Sequence, residues 1–253
     1  MNPEITVIIP TYNRASALKA LLDSLYGQKC GRINFEIIVI ADGCTDNTMT
    51  ILEHARKKLP HLKWHMQNNR GPSAARNHGI KKSNAEIVAF TDDDCIVHEN
   101  WIQTIHNGFL ADELAGLEGI VETGEKPVMP MTHYIKVEGP GRYITCNIAF
   151  KREVLNKVGG FDESFGAPHD EDQDLALRVK EHGKIGFSKE MRVIHPPAPM
   201  GFLYELKRAR SFMKSYVEGE SRLYAKHPKS YNTIRYHGTS EETLKSNSMT
   251  YAW

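Results

Sequence analysis

Three consecutive aspartates, Asp92-Asp93-Asp94, follow the apolar run Ile87 to Phe90 after the single residue Thr91. Three carboxylates at a strand end repel one another unless a cation neutralises them. Strand alternation points Asp92 and Asp94 to the same side. Two carboxylates sharing a divalent ion, with waters and phosphate oxygens in its remaining positions, is how Mg2+ or Mn2+ is usually held. The competing reading is a solvated acidic loop ahead of a helix that starts near Asn100.

Other residues carry weaker signals of the same kind. Asp42, followed by Gly43, sits where a carboxylate could read a base or ribose; a turn with Asp46 capping the next helix explains the same DGCTDNT segment. The stretch Asn69 to Asn77 sets Gly71 before a helix start with Arg76 one turn inside, a position that suits phosphate without being a Walker loop or GxGxxG. Glu171, Asp172 and Asp174 open a helix, where carboxylates cap by default but one in a cleft serves as a general base. His195, before Pro196-Pro197, is a metal ligand or a structural histidine.

The elements that must position these residues alternate. Strands are expected over Ile5 to Pro10, Phe35 to Ala41, Trp64 to Gln67 and Glu86 to Thr91. Helices are expected between them: one carrying Leu18, Leu21, Leu22 and Leu25 with Asn13 near its start, one from about Asp46 to Leu59, and one over Ser73 to Lys82. This order implies right-handed βαβ units and a parallel sheet, whose ligands bind beyond the carboxyl ends of the strands. The clusters Thr11 to Arg14, Asp42 to Asp46 and Asp92 to Asp94 fall at those ends. Beyond Gly116 the pattern becomes α+β, with strands over Gly116 to Val121 and Tyr143 to Phe150, helices over Lys151 to Val158 and Asp170 to His182, and a strand ending over Arg192 to His195.

The bulk numbers bound the class. The chain has 253 residues, 40% hydrophobic and 25% charged, enough for a sizeable core. Its net charge of +1 argues against a nucleic-acid partner. Four cysteines without zinc spacing read as reduced thiols in a cytosolic protein. The absence of a ~20-residue apolar run or a basic leader fits a cytoplasmic chain that meets a membrane, if at all, peripherally at its inner face. Residues 201–236 hold eight Lys/Arg against three Glu, a net +5, with Leu203, Leu206, Met213 and Val217 on one helical face. They read as a helix packed on the preceding domain with its basic residues in solvent, or as a surface for anionic lipid. Residues 237–253 read as a polar tail.

Together these segments resemble family 2 glycosyltransferases of the GT-A fold. The resemblance is carried by Val7 to Arg14, Ala41 to Asp46, Gly71 to Asn77, Asp92 to Asp94, Cys146-Asn147, Gly159 to Glu163 and Glu171 to Leu175, in order across residues 4–195. It implies an α/β GT-A (nucleotide-diphospho-sugar transferase) fold: a mostly parallel twisted sheet flanked by helices over 1–200, with a helical extension over 201–236. It also implies inverting, hexosyl-type transfer from a nucleotide-diphosphate sugar, UDP being the expected nucleotide, to a glycan or lipid-linked acceptor in cell-envelope polysaccharide or glycolipid synthesis. By motif position Pro10, Thr11, Asn13, Arg14, Asp42, Gly71, Arg76, Asp92 and Asp93 would meet the donor. Asp92, Asp94 and His195 would hold Mn2+ or Mg2+, Asp172 would be the catalytic base with Glu171 beside it, and Asn147 would lie on the acceptor side. The chain departs from the family where Ala41-Asp42 replaces paired acids, Cys44 replaces a serine and the middle residue of the DxD is Asp93. Rival readings are a sugar-phosphate nucleotidyltransferase, which lacks its expected Gly-rich N-terminal loop here, and a silent nucleotide-sugar-binding or scaffold protein.

Overall fold

A computed structural model describes residues 2–124, 134–165, 170–197 and 217–231. Eight strands form one sheet: β1 (Ile5–Thr11), β2 (Phe35–Asp42), β3 (Leu62–Gln67), β4 (Ile87–Phe90), β5 (Ile96–Val97), β6 (Leu114–Glu122), β7 (Ile148–Lys151) and β8 (Lys184–Ile194), in the order β3-β2-β1-β4-β7-β6-β8-β5. The β3-β2-β1-β4 half is parallel throughout. β7 enters antiparallel to both β4 and β6, β8 runs parallel to β6, and β5 pairs antiparallel with β8. The expected α/β sheet is therefore present, with its second half mixed.

Among the described residues up to 197, six helices flank the sheet: α1 (Ala15–Tyr26), α2 (Thr48–Arg56), α3 (Pro72–Lys82), α4 (Trp101–Ala111), α5 (Arg152–Val158) and α6 (Glu171–Lys180). Strand alternation divides the core between the two faces. Ile5, Val7 and Ile9 join Leu18, Leu21, Leu22 and Leu25 of α1 and Trp101 and Ile105 of α4 in one cluster. Ile8 faces the other way, with Phe90, Phe150, Leu155 and Leu175. α3 lies close against the sheet because Gly79 has no side chain; a Cβ there would fall 2.5 Å from Ile8 Cγ2.

Two local expectations are corrected. Tyr143 to Phe150 is not one strand: the backbone N–H groups of Arg142 and Tyr143 donate to Glu118, Tyr143 takes φ 51°, and Thr145–Asn147 form a 3-10 turn before β7. These bonds draw the chain off the sheet edge. Asn13 does not cap α1; it takes φ 53°, and its Oδ1 accepts from the N–H groups of Thr45 and Asp46 at 2.7 and 3.3 Å. Asp46 instead accepts from Ala15 N at the start of α1 and from Thr48 N in α2, tying both loops together.

Residues 217–226 are helical. Val217 is exposed and Leu223 is fully buried. The expectations for Leu203, Leu206 and Met213, and for the tail 237–253, lie outside the described residues. Among the described residues no helix is long and apolar enough to cross a membrane.

Candidate active site

β1, β2 and β4 end side by side, so the loops after them meet at one edge of the sheet. Asp42 closes β2 and is 4% exposed. Its Oδ1 accepts from Gln67 Nε2 and Arg70 N, both at 2.8 Å, and its Oδ2 from Gly71 N at 2.8 Å. Gly71 takes φ 87° ahead of Pro72, the first residue of α3. The N–H groups of Arg70 and Gly71, just ahead of that helix, are thus committed to Asp42.

The aspartate triplet forms a turn, not a strand continuation, since β4 ends at Phe90 and Cys95 N donates to Asp92 O at 3.1 Å. Alternation therefore does not govern it, and Asp92 and Asp94 have different partners. Asp92 accepts from Arg76 Nη2 at 2.8 Å. Asp93 turns inward, accepting from Thr11 Oγ1 at 2.7 Å and Arg14 Nη1 at 3.3 Å. Burial pushes its carboxyl up to about 6, against the pull of Arg14 and Thr11. Asp94 pairs with Arg14 and faces His195 Nε2 at 3.5 Å. Pro10 and Thr11 stand at the end of β1 beneath this group.

Arg76 links the triplet to the opposite wall. It is 4% exposed, its Nη1 lies 3.2 Å from Glu171 Oε1, and its guanidinium lies 5.6 Å from the Phe161 ring centre. Glu171 is buried, and that burial raises its carboxyl while Arg76 opposes the rise. Asp172 is partly buried in the same first turn of α6 and takes an N–H bond from Gln173 at 2.8 Å. Desolvation and the neighbouring Glu171 and Asp170 charges push its carboxyl up to about 8. A carboxylate of that basicity is matched to proton abstraction near neutral pH.

A cation fits beside this network. Asp94, Cys95 and His195 each bring a ligand atom within 4.8 Å of the others. Asp94 Oδ1 and His195 Nδ1 are buried without hydrogen-bond partners. An unpartnered carboxylate oxygen with an imidazole nitrogen 3.5 Å away, His195 Nε2, suits a divalent ion. Asp92 stays outside this trio, on Arg76. Cys95 has no zinc-type spacing in the sequence, and only the fold brings it beside His195.

Asn147 lies apart from these groups. It is 1% exposed, its Nδ2 donates to the carbonyls of Ile120 and Met191, and its Oδ1 accepts from Trp101 Nε1 at 2.8 Å. The structure thus commits its amide to joining α4, β6 and β8.

Comparison with known proteins matches residues 6–161 to the family described as Glycosyl transferase family 2. Glycosyltransferase AglE of Haloferax volcanii is 32% identical over 218 residues, covering 79% of this chain and 69% of that protein. The chain spans only 23%, 32% and 52% of the lengths of three other curated relatives. Among solved structures, S. aureus TarS 1-349 in complex with UDP-GlcNAc superposes with a TM-score of 0.65 at 20% identity, over 96% of this chain and 78% of that one. The mannosyltransferase PcManGT of Pyrobaculum calidifontis, in complex with GDP-Man and Mn2+, gives 0.63 at 22% identity, over 85% and 63%. Both are structural neighbours of the same fold.

Proposed function

The chain belongs to glycosyl transferase family 2, and from that premise we propose that it moves a sugar from a nucleoside diphosphate to an acceptor hydroxyl with inversion, Asp172 acting as the base. One observation carries the reading. Arg76 joins Asp92, at the end of β4, to Glu171, the neighbour of Asp172, at the start of α6. A single buried cation thereby sets the spacing between a donor wall and a base.

Thr11, Asn13, Arg14 and Asp42 line the loops that would receive base and ribose, and Asp42 also holds the Arg70-Gly71 backbone in shape. Asp94 and His195, with Cys95 beside them, would hold Mn2+ or Mg2+, which offsets the charge of the departing diphosphate. Arg14 now neutralises Asp93 and Asp94 and would give way as that charge is met by the cation. Asp172 takes the proton of the acceptor hydroxyl as that oxygen attacks the anomeric carbon opposite the diphosphate. The geometry parallels inverting hydrolysis, with an alcohol in place of water. UDP is the proposed nucleotide, supported by the complexes of TarS with UDP and UDP-GlcNAc. A cell-envelope glycan acceptor is supported by the names of relatives such as a poly(ribitol-phosphate) N-acetylglucosaminyltransferase.

Replacing Asp172 by Asn tests the assignment. Transfer is expected to fall by about 10²–10⁴-fold while UDP binding survives. Equal loss of UDP binding would move Asp172 out of the base role. Absence of donor turnover by the native chain with a panel of acceptors would favour a silent binding protein.

A further inference from the structure

Residues 217–231 reach the proposed catalytic helix through a fully buried carboxylate. Asp174, one half-turn beyond Asp172, is 0% exposed. Its Oδ2 accepts from Arg178 Nη2 at 2.6 Å, within α6. Its Oδ1 accepts from Lys226 Nζ at 2.6 Å and His227 Nε2 at 2.9 Å. Despite the burial, these three partners hold its carboxyl below the usual range.

The same segment grips the chain on the other side of the base. Lys226 Nζ also bonds Asp162 Oδ2 at 2.8 Å, and Arg222 donates to the Ser164 carbonyl. Both cations lie over the Phe165 ring, Arg222 at 5.7 Å and Lys226 at 5.5 Å from its centre, and Leu223 is fully buried. Asp162, Ser164 and Phe165 precede Glu171-Asp172 in the chain, and Asp174 follows them. One short segment therefore anchors both approaches to the acidic turn.

Surface packing alone would not need this arrangement. Arg178 already satisfies one oxygen of Asp174, but the other depends on residues some fifty positions away. A buried carboxylate oxygen stripped of its partners must take up water or turn, and the first turn of α6 turns with it. We propose that residues 217–231 are a positioning strap, in which Lys226 and His227 fix Asp174 and so set the direction of Asp172. The inference rests on Asp172 being the base, as proposed above.

The test compares the full chain with its Lys226→Met, His227→Ala and Lys226→Arg variants, with Lys229→Met as a control on the same segment. Three quantities are read: transfer kcat, calorimetric UDP affinity in Mn2+, and amide hydrogen exchange over residues 171–180. A misdirected base lowers kcat by about 10- to 100-fold in Lys226→Met and His227→Ala, with UDP affinity unchanged. Exchange over 171–174 quickens in both, and Lys226→Arg restores kcat and exchange. Native kcat and native exchange in Lys226→Met and His227→Ala would overturn the strap. So would losses of kcat and UDP affinity in parallel, or quickened exchange spread evenly over the chain. If the native chain transfers to no acceptor, the functional reading fails on its own, and unchanged exchange in Lys226→Met still decides against the strap.

Discussion

At the scale of single residues, Asp172 brings chemistry and stability into opposition. Its carboxyl is raised to about 8 in the folded chain, against about 3.9 for a free aspartate. The folded state therefore binds that proton more tightly than the unfolded one, and stability is lost as pH rises from about 4 toward 8. Asp172→Asn is expected to raise Tm more at pH 9 than at pH 5 by scanning calorimetry, each kcal/mol relieved being worth about 2–4 °C. In the native enzyme kcat should climb with pH and level off above the base's titration. A flat kcat profile together with an unshifted Tm would contradict the assignment. Asp42 is the complementary case, a carboxylate that already accepts three hydrogen bonds from protein N–H groups. Asp42→Ala leaves the Arg70 and Gly71 N–H groups unpaired and should cost about 2–3 kcal/mol in urea unfolding as well as UDP binding. The carboxylates themselves were legible as types in sequence; their partners were not. Nothing in local spacing shows that Arg76 bridges residues 16 and 95 positions after it.

At the scale of elements, the strands that are buried on both faces were the legible ones. Phe35–Asp42 is buried at every position, and its unbroken β-branched run marks it without tertiary context. β5 has two residues and exists because β8 offers it an edge, so no periodicity announces it. The start of β7 was misplaced, five residues early, because Glu118, on a different strand, redirects the chain that precedes it. Asn147, in the 3-10 turn just before β7, joins helix to sheet. Asn147→Ala would orphan Trp101 Nε1 and two carbonyls and is expected to destabilise by about 3 kcal/mol, a Tm fall of roughly 6–12 °C. A shift under a few degrees would show that the three groups find other partners. The close seat of α3 makes a second element-scale case: a Cβ on Gly79 would stand 2.5 Å from Ile8, so Gly79→Ala must displace the buried Ile8 side chain or the helix that carries Arg76.

At the scale of the whole molecule, alternation of strand and helix was enough to place the acidic loops at one sheet edge. It could not supply the order of the second half of the sheet, which is set by pairings between strands far apart in the chain. The basic stretch 201–236 also changes meaning once seen in place, since Arg222 and Lys226 are engaged on the fold. Fewer free cations then remain for a lipid surface than the composition suggests. Flotation with anionic vesicles, with and without residues 201–253, measures what remains, and equal flotation would remove membrane docking by this segment from the account. The most direct measurement is calorimetric titration of the native chain with UDP, GDP, TDP and CDP, in Mn2+ and in chelator. Binding of UDP that weakens at least about tenfold without the cation, a loss of about 1.4 kcal/mol, and that loses its cation dependence in Asp94→Asn is the predicted result. No binding of any of the four nucleotides, or UDP binding indifferent to the cation, would contradict a metal-assisted nucleotide-sugar site at this sheet edge.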